Sequence, residues 1–214
     1  MALSRAMIRV RASRLDAAAK PAARSGVRDG VSDDDLALRV RGGDRWAEEA
    51  LFRRYIDYIS ALAFRLLRDR AEGEDIVQDT FLDAFAQLRA GAAPASFRAW
   101  LAGIAVHKVH RRYRRRKLRA LLGHHFAAVD SVLQATAYAG TSPELRTELG
   151  LLDAALCQLA EVDRAAWMLR FVEGYELEEV AHLCGCSVAT AKRRIGRARA
   201  AVDAHVELEE VSDA

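Results

Sequence analysis

The chain has 214 residues, 51% of them hydrophobic and 29% charged, with 33 Lys and Arg against 30 Asp and Glu for a formal net charge of +3. That is enough apolar material for one larger or two small domains, and it excludes collagen-like and wholly disordered chains. Aromatics make up only 7% and there are 3 Pro, whereas Ala, Leu, Arg and Glu abound, so an all-α fold is expected. Three Cys cannot build a disulfide framework, no apolar run approaches the roughly 18 residues that span a bilayer, and the N-terminal stretch lacks the apolar core of a secretory signal. A reducing, cytoplasmic setting is the expectation.

Charges are sorted along the chain. From Asp29 to Asp79 there are 13 acids and 8 bases, whereas from Ala84 to Val129 there are no acids and 10 Lys or Arg. Such a switch points to an acidic, protein-facing surface beside a basic, nucleic-acid-facing one.

Residues 1–31 read as a disordered basic arm, with Arg5, Arg9, Arg11, Arg14, Lys20, Arg24 and Arg28 scattered through Ala and Ser. Ser32 followed by Asp33, Asp34 and Asp35 predicts an N-cap and a helix carrying Leu36, Leu38 and Val40, which Gly42 and Gly43 end. A longer helix from about Asp44 carries Leu51, Tyr55, Tyr58, Ile59, Leu62 and Leu66 at the spacing of a buried face. The next, near Glu72 to Leu88, packs Val77, Phe81, Ala84, Phe85 and Leu88 on one side and shows Asp75, Asp79 and Asp83 on another. After the loop RAGAAPAS, Phe97, Trp100, Leu101 and Ile104 begin a helix that runs into HKVHRRYRRRKLR, where Tyr113 sits among the bases. Aromatics beside bases suit stacking on unpaired nucleotides together with phosphate contact, although Trp100 itself fits a core position.

Periodicity is weak over 119–142, which reads as a flexible linker. Its 25 or so residues, fully extended, reach about 80 Å at roughly 3.3 Å each, enough to set two small domains on separate sites of one long ligand. A second block, 143–206, opens with Ser142-Pro143-Glu144 as cap, first helical residue and first-turn acid. Leu149, Leu152, Leu156 and Leu159 line one helix, and Ala166, Trp167, Leu169 and Phe171 another that stops at Gly174. Two more, Leu177 to Leu183 and Ser187 to about His205, meet across Cys184-Gly185-Cys186 in a helix-turn-helix pattern, with residues 207–214 as an acidic tail. The last helix presents Thr190, Lys192, Arg193, Arg194, Arg197 and Arg199, donors suited to phosphates and to guanine edges in the major groove.

His182, Cys184 and Cys186 are three soft ligands inside that turn, but small buried Cys residues need no metal there and no fourth ligand is visible. No Gly-rich phosphate loop, nucleophile elbow or zinc-protease motif occurs, so no catalytic residue, metal, cofactor or small-molecule substrate is expected.

EDIVQDTFLDAF, then SFRAWLAGIA with its basic continuation, then LAEVDRAAWMLRFVEGYELEEVAHLCGCSVATAKRRIGRARA, resemble the extracytoplasmic-function sigma factors of bacterial RNA polymerase over residues 33–118 and 143–204. The resemblance implies a first domain that binds the β′ clamp helices of core polymerase and captures the melted minus-ten strand. It implies a second domain that reads the minus-thirty-five element, further contact with the polymerase β subunit, and an anti-sigma protein as a partner. Carried over residue by residue, Asp75, Gln78, Asp79 and Phe81 would contact polymerase. Phe97, Arg98, Trp100, Lys108, Arg111 and Arg112 would hold minus-ten DNA, with the loop Ala93 to Ser96 in the strand-capture region. Ser187, Thr190, Lys192, Arg193, Arg194 and Arg197 would read the minus-thirty-five element. The Cys-rich turn and the basic arm lie outside the shared pattern. A free-standing helix-turn-helix regulator would explain the second block alone and leave the first without work. A catalytic first domain lacks an acid, base and nucleophile cluster. An anti-sigma decoy would have no use for the basic last helix.

Overall fold

The computed structural model describes residues 30–121, 152 and 154–212, and among these all regular structure is helical. They belong to two compact units, one within residues 22–129 and the other within 130–214. The expected basic arm before residue 30, the linker from residue 122, and the Ser142-Pro143 helix start with Leu149 lie outside the described residues.

The first unit contains α1 (Asp33–Arg41), α2 (Arg45–Leu67), α3 (Arg70–Arg89) and α4 (Phe97–Leu121). Ser32, in extended backbone, accepts a hydrogen bond from the Asp35 amide at 3.1 Å, and Asp33, Asp34 and Asp35 face the positive end of α1. Leu36 and Val40 are fully buried one turn apart, but Leu38 is 63% exposed, contrary to the expected apolar triad. Two residues along a helix is a rotation of about 200°, which carries Leu38 to the solvent side.

Gly43, at φ +81, reverses the chain, and Asp44 caps α2 by accepting from the amides of Trp46 at 2.9 Å and Ala47 at 3.4 Å. Desolvation opposes ionisation of Asp44, but the Arg39 hydrogen bond and these two amides outweigh it and hold the carboxyl below its ordinary value. The α2–α3 junction is only Arg68 and Asp69, with Arg68 at φ +58 and Asp69 capping α3 through the Glu72 amide.

Leu51, Ile59, Leu62 and Leu66 of α2 form the core with Val77, Phe81, Ala84 and Leu88 of α3 and Phe97, Leu101, Val106 and Val109 of α4. Tyr113 is a correction to the sequence reading. It is 3% exposed and donates to the Leu66 carbonyl at 2.6 Å, so it anchors α4 on α2 and is closed to nucleotides. Tyr58 and Phe85, expected in the core, are half-buried.

The second unit comprises a helical stretch at 154–157, α5 (Glu161–Trp167) continued by a π-helical turn (Met168–Val172), α6 (Leu177–Leu183) and α7 (Val188–Ser212). Trp167, Leu156, Ala155, Ala198 and Val202 make its core, with Leu152, Leu159 and Phe171 packed around them. Gly174, at φ +81, ends the π turn, and Gly185, at φ +58, makes the turn between α6 and α7. Ala181 and Ala191 are buried where these two helices pack together. The backbone of α7 stays helical to Ser212 and so absorbs most of the expected acidic tail. Val206-Glu207-Leu208-Glu209-Glu210 holds no Gly or Pro to stop it.

Candidate functional site

In the first unit Asp75, Gln78, Asp79 and Asp83 all stand exposed along α3, as three-and-four spacing demands. Phe81 does not join them. It is 3% exposed, its ring 4.8 Å from that of Phe52, so it supports the ridge from within the core and offers a partner no surface.

The acidic and basic surfaces that the sequence suggests as neighbours share one groove. α4 packs along α3, and an open groove of about 270 Å³ is lined by Asp75, Gln78, Asp79, Lys108, Arg111, Arg112 and Arg115. Lys108 pairs with Asp83 at 2.5 Å, Arg112 with Asp75 at 3.2 Å and Glu72 at 3.5 Å, and Arg116 with Glu72 and with Asp69 at 3.8 Å. Asp79, Arg111 and Arg115 have no ion-pair partner among the described residues. The basic run therefore divides into bases that α3 holds and bases that face solvent freely.

The loop before α4 is pinned by Arg41, which donates to the carbonyls of Gly91 and, at 3.0 Å, Ala92. Nothing in the local sequence marks Arg41, whose partners lie 50 residues on. Ser96 caps α4 through the Ala99 amide at 3.3 Å. Phe97, expected to meet DNA, is 2% exposed against Tyr55 and Trp100, with ring centroids at 5.3 and 5.9 Å, and belongs to the core. Trp100 is half-buried, and Arg98 lies over the Tyr58 ring at 4.1 Å, which leaves both at the surface beside the loop.

In the second unit Ser187 caps α7 by accepting from the Thr190 amide at 3.2 Å, and its hydroxyl lies 2.9 Å from that of Thr190, which also accepts from Arg193 at 3.3 Å. Lys192 and Arg193 are exposed. Arg194 is half-buried near Cys184, whose thiol burial foremost, with Cys186 adding, pushes up to about 12 against the pull of the Arg194 charge. Arg197 departs most from the sequence reading. Its Nε and Nη2 donate to the two Asp163 oxygens at 2.8 and 2.7 Å, and the Asp163 side chain is 8% exposed. Those donors brace α7 against α5 and are spent before DNA arrives.

Sequence reasoning missed Val188, Ala189 and Gly196. Val188 is 42% exposed at the start of α7, and Ala189, Lys192, Arg193 and Gly196 follow on one exposed face. Small residues there let a helix approach closely, and an exposed valine suits a thymine methyl. Among the described residues no three His, Cys, Asp or Glu side chains gather as a metal would require, the Cys184 turn included. No described helix is long and apolar enough to cross a membrane.

These two units define the sigma class of transcription factors: residues 51–119 match the Sigma-70 region 2 model and residues 149–202 the Sigma-70 region 4 model. The chain is 31% identical over 181 residues to the RNA polymerase sigma-H factor of Pseudomonas aeruginosa, covering 80% of this chain and 92% of the relative. It is 30% identical over 180 residues to the ECF RNA polymerase sigma factor SigM of Mycobacterium tuberculosis, covering 84% and 87%. Among solved structures it is similar to the sigma factor RpoE bound to the anti-sigma factor NepR from Bartonella quintana, at 25% identity, TM-score 0.58 and coverage of 74% and 96%. It is also similar to CnrH bound to the cytosolic domain of CnrY, at 26% identity, TM-score 0.55 and coverage of 82% and 97%. The chain belongs to the extracytoplasmic-function family of RNA polymerase sigma factors, and its function is promoter-directed transcription initiation.

Proposed function

We propose that the chain works by division of labour, the core polymerase supplying catalysis in the cytoplasm and this chain supplying address and strand separation without making or breaking bonds. The observation that carries the reading is the exposed Val188, Lys192 and Arg193 face on the second helix of the helix-turn-helix, beside which Arg197 is already engaged within the unit. That face reads the minus-thirty-five element, with the capped N-terminus of α7 toward a phosphate.

In the first unit Asp75, Gln78 and Asp79 face the β′ clamp helices, while the loop Ala93 to Ser96 with Arg98 and Trp100 takes the melted minus-ten strand and α4 holds its phosphates. Unstacking costs a few kcal/mol per step and is offset by phosphate contacts and by seating the extruded base. Residues 32–118 and 143–206 are the working domains and 119–142 the tether between their sites. An anti-sigma protein, of the kind bound to the structural relatives, is a further partner.

The test is a pair of variants in holoenzyme. Arg193→Ala relaxes promoter choice while leaving assembly with core polymerase intact, and Asp79→Asn weakens assembly equally at every promoter. An Arg193 variant with unchanged choice, or an Asp79 variant with unchanged assembly, removes that assignment. A free-standing operator-binding regulator is not favoured, because both sigma regions are present in order.

A further inference from the structure

The loop between α3 and α4 cannot fasten itself. Ala90, Gly91, Ala92, Ala93, Pro94 and Ala95 carry no side chain able to donate or accept a hydrogen bond, so its shape rests on backbone groups and on whatever reaches it from elsewhere. One end is closed by α3, where the amides of Gly91 and Ala92 donate to the Leu88 and Gln87 carbonyls, both at 2.9 Å. The other end is set by Ser96 at the cap of α4. Between them the carbonyls of Gly91 and Ala92 both accept from Nη2 of Arg41, the last residue of α1. These two carbonyls lie beyond the Ala90 cap, so Arg41 holds the loop and does not complete the helix. Gly91, at φ +103, presents its carbonyl in a backbone form that other residues rarely adopt. α1 is a fixed base for this arm, because Leu36 and Val40 are fully buried and Arg39 pairs with Asp44 at 2.8 Å.

An extruded base seated on this segment meets peptide groups and methyls, and the direction of those groups decides its fit. Resting on the reading that the loop takes the melted minus-ten strand, we propose that Arg41 is a positioning residue for capture: it fixes the Gly91 and Ala92 peptide planes and so holds the loop as far as Ser96 in the form that receives the base. Without it, each capture event has to order the segment first, and that cost comes off the affinity. Arg41 acts through the loop backbone, so its effect falls on base seating and spares the phosphate contacts.

The experiment uses holoenzyme of the full chain with a labelled single strand from a promoter at which it starts, and the same strand with the minus-ten bases replaced by abasic sites, which keeps every phosphate. The ratio of the two affinities reads base seating alone. Arg41→Gln lowers that ratio about ten-fold, the low end of what a charge-assisted hydrogen bond contributes, while binding to the abasic strand, assembly with core polymerase and the thermal midpoint stay near wild type. Gly91→Ala, which strains the same carbonyls with Arg41 in place, lowers the ratio as well. Arg39→Gln, which removes the same charge from the same helix but whose partners are Asp44 and Trp46, leaves it unchanged. Equal losses on both strands would make Arg41 a phosphate contact, and a ratio that falls only together with assembly or the thermal midpoint would make it a stabilising residue; either overturns the positioning role. So does an unchanged ratio in Arg41→Gln, or an equal fall in Arg39→Gln. If wild type itself binds both strands alike, the reading of the loop as the capture segment falls, and the proposal with it.

Discussion

Arg197 and Asp163 form a forked ion pair across the second unit, with both carboxylate oxygens of a nearly buried aspartate accepting from one guanidinium at 2.7 and 2.8 Å. A basic residue on a recognition helix thus commits two of its donors within the unit, although its side chain stays 60% exposed. Lys in place of Arg cannot reproduce the planar fork, and Asn in place of Asp loses the charge. Arg197→Lys and Asp163→Asn are each expected to lower the thermal midpoint, and the double variant to lose less than the sum, because both delete one interaction. In duplex-competition assays with holoenzyme, Arg197→Ala weakens all minus-thirty-five sequences alike, whereas Arg193→Ala changes their ranking. The reverse pattern would return Arg197 to base readout.

Cys184 makes the second unit sensitive to alkali. Burial raises its thiol from the ordinary 9.0 to about 12, so folding favours the protonated form. The contribution is complete below pH 9 and is lost as pH rises through about 12, where the folded thiol ionises. Urea unfolding across that range is expected to show a steeper loss for wild type than for Cys184→Ala. Iodoacetamide should modify exposed Cys157 in the native chain well before Cys184.

Asp33 ties α1 to α2, accepting from the Tyr55 hydroxyl and, at 2.5 Å, from Arg54. Tyr55→Phe removes one bond to a carboxylate that keeps its Arg54 partner. The expected loss is about 1–2 kcal/mol in denaturant unfolding. A neutral result would mean that the hydroxyl hydrogen bond adds nothing.

Gly73 lies where α3 crosses the Phe64 ring, and a Cβ there would sit 2.3 Å from Cδ1. Alanine gains ~1 kcal/mol of helix propensity but overpacking costs about 1–3 kcal/mol, so Gly73→Ala should be net destabilising. In a Phe64→Leu background the clash is relieved and the same substitution should stabilise. Stabilisation in both backgrounds would show that the ring moves aside freely.

Much of this architecture is legible locally. Ser32, the Asp44 start of α2, and the Leu177–Leu183 helix with its Gly185 turn follow from capping and turn chemistry confined to a few residues. What sequence leaves open depends on distant neighbours. The destination of Arg197 is decided by Asp163, 34 residues away, and that of Arg112 by Asp75, 37 residues away. A list of cations looks the same whether they are engaged or free. Phe81 and Phe97 carry a motif and a core position at once, and only packing shows that the core has them. The π turn at Met168–Val172 has no periodic signal of its own.

Run-off transcription with purified bacterial core polymerase, with and without this chain, on a pool of genomic promoter fragments with sequenced start sites, tests promoter-directed initiation most directly. Starts confined to a subset of fragments and strictly dependent on the chain are predicted, and they should fall at all fragments together with Asp79→Asn. Duplex binding by the chain alone, with no chain-dependent starts at any fragment, would contradict it.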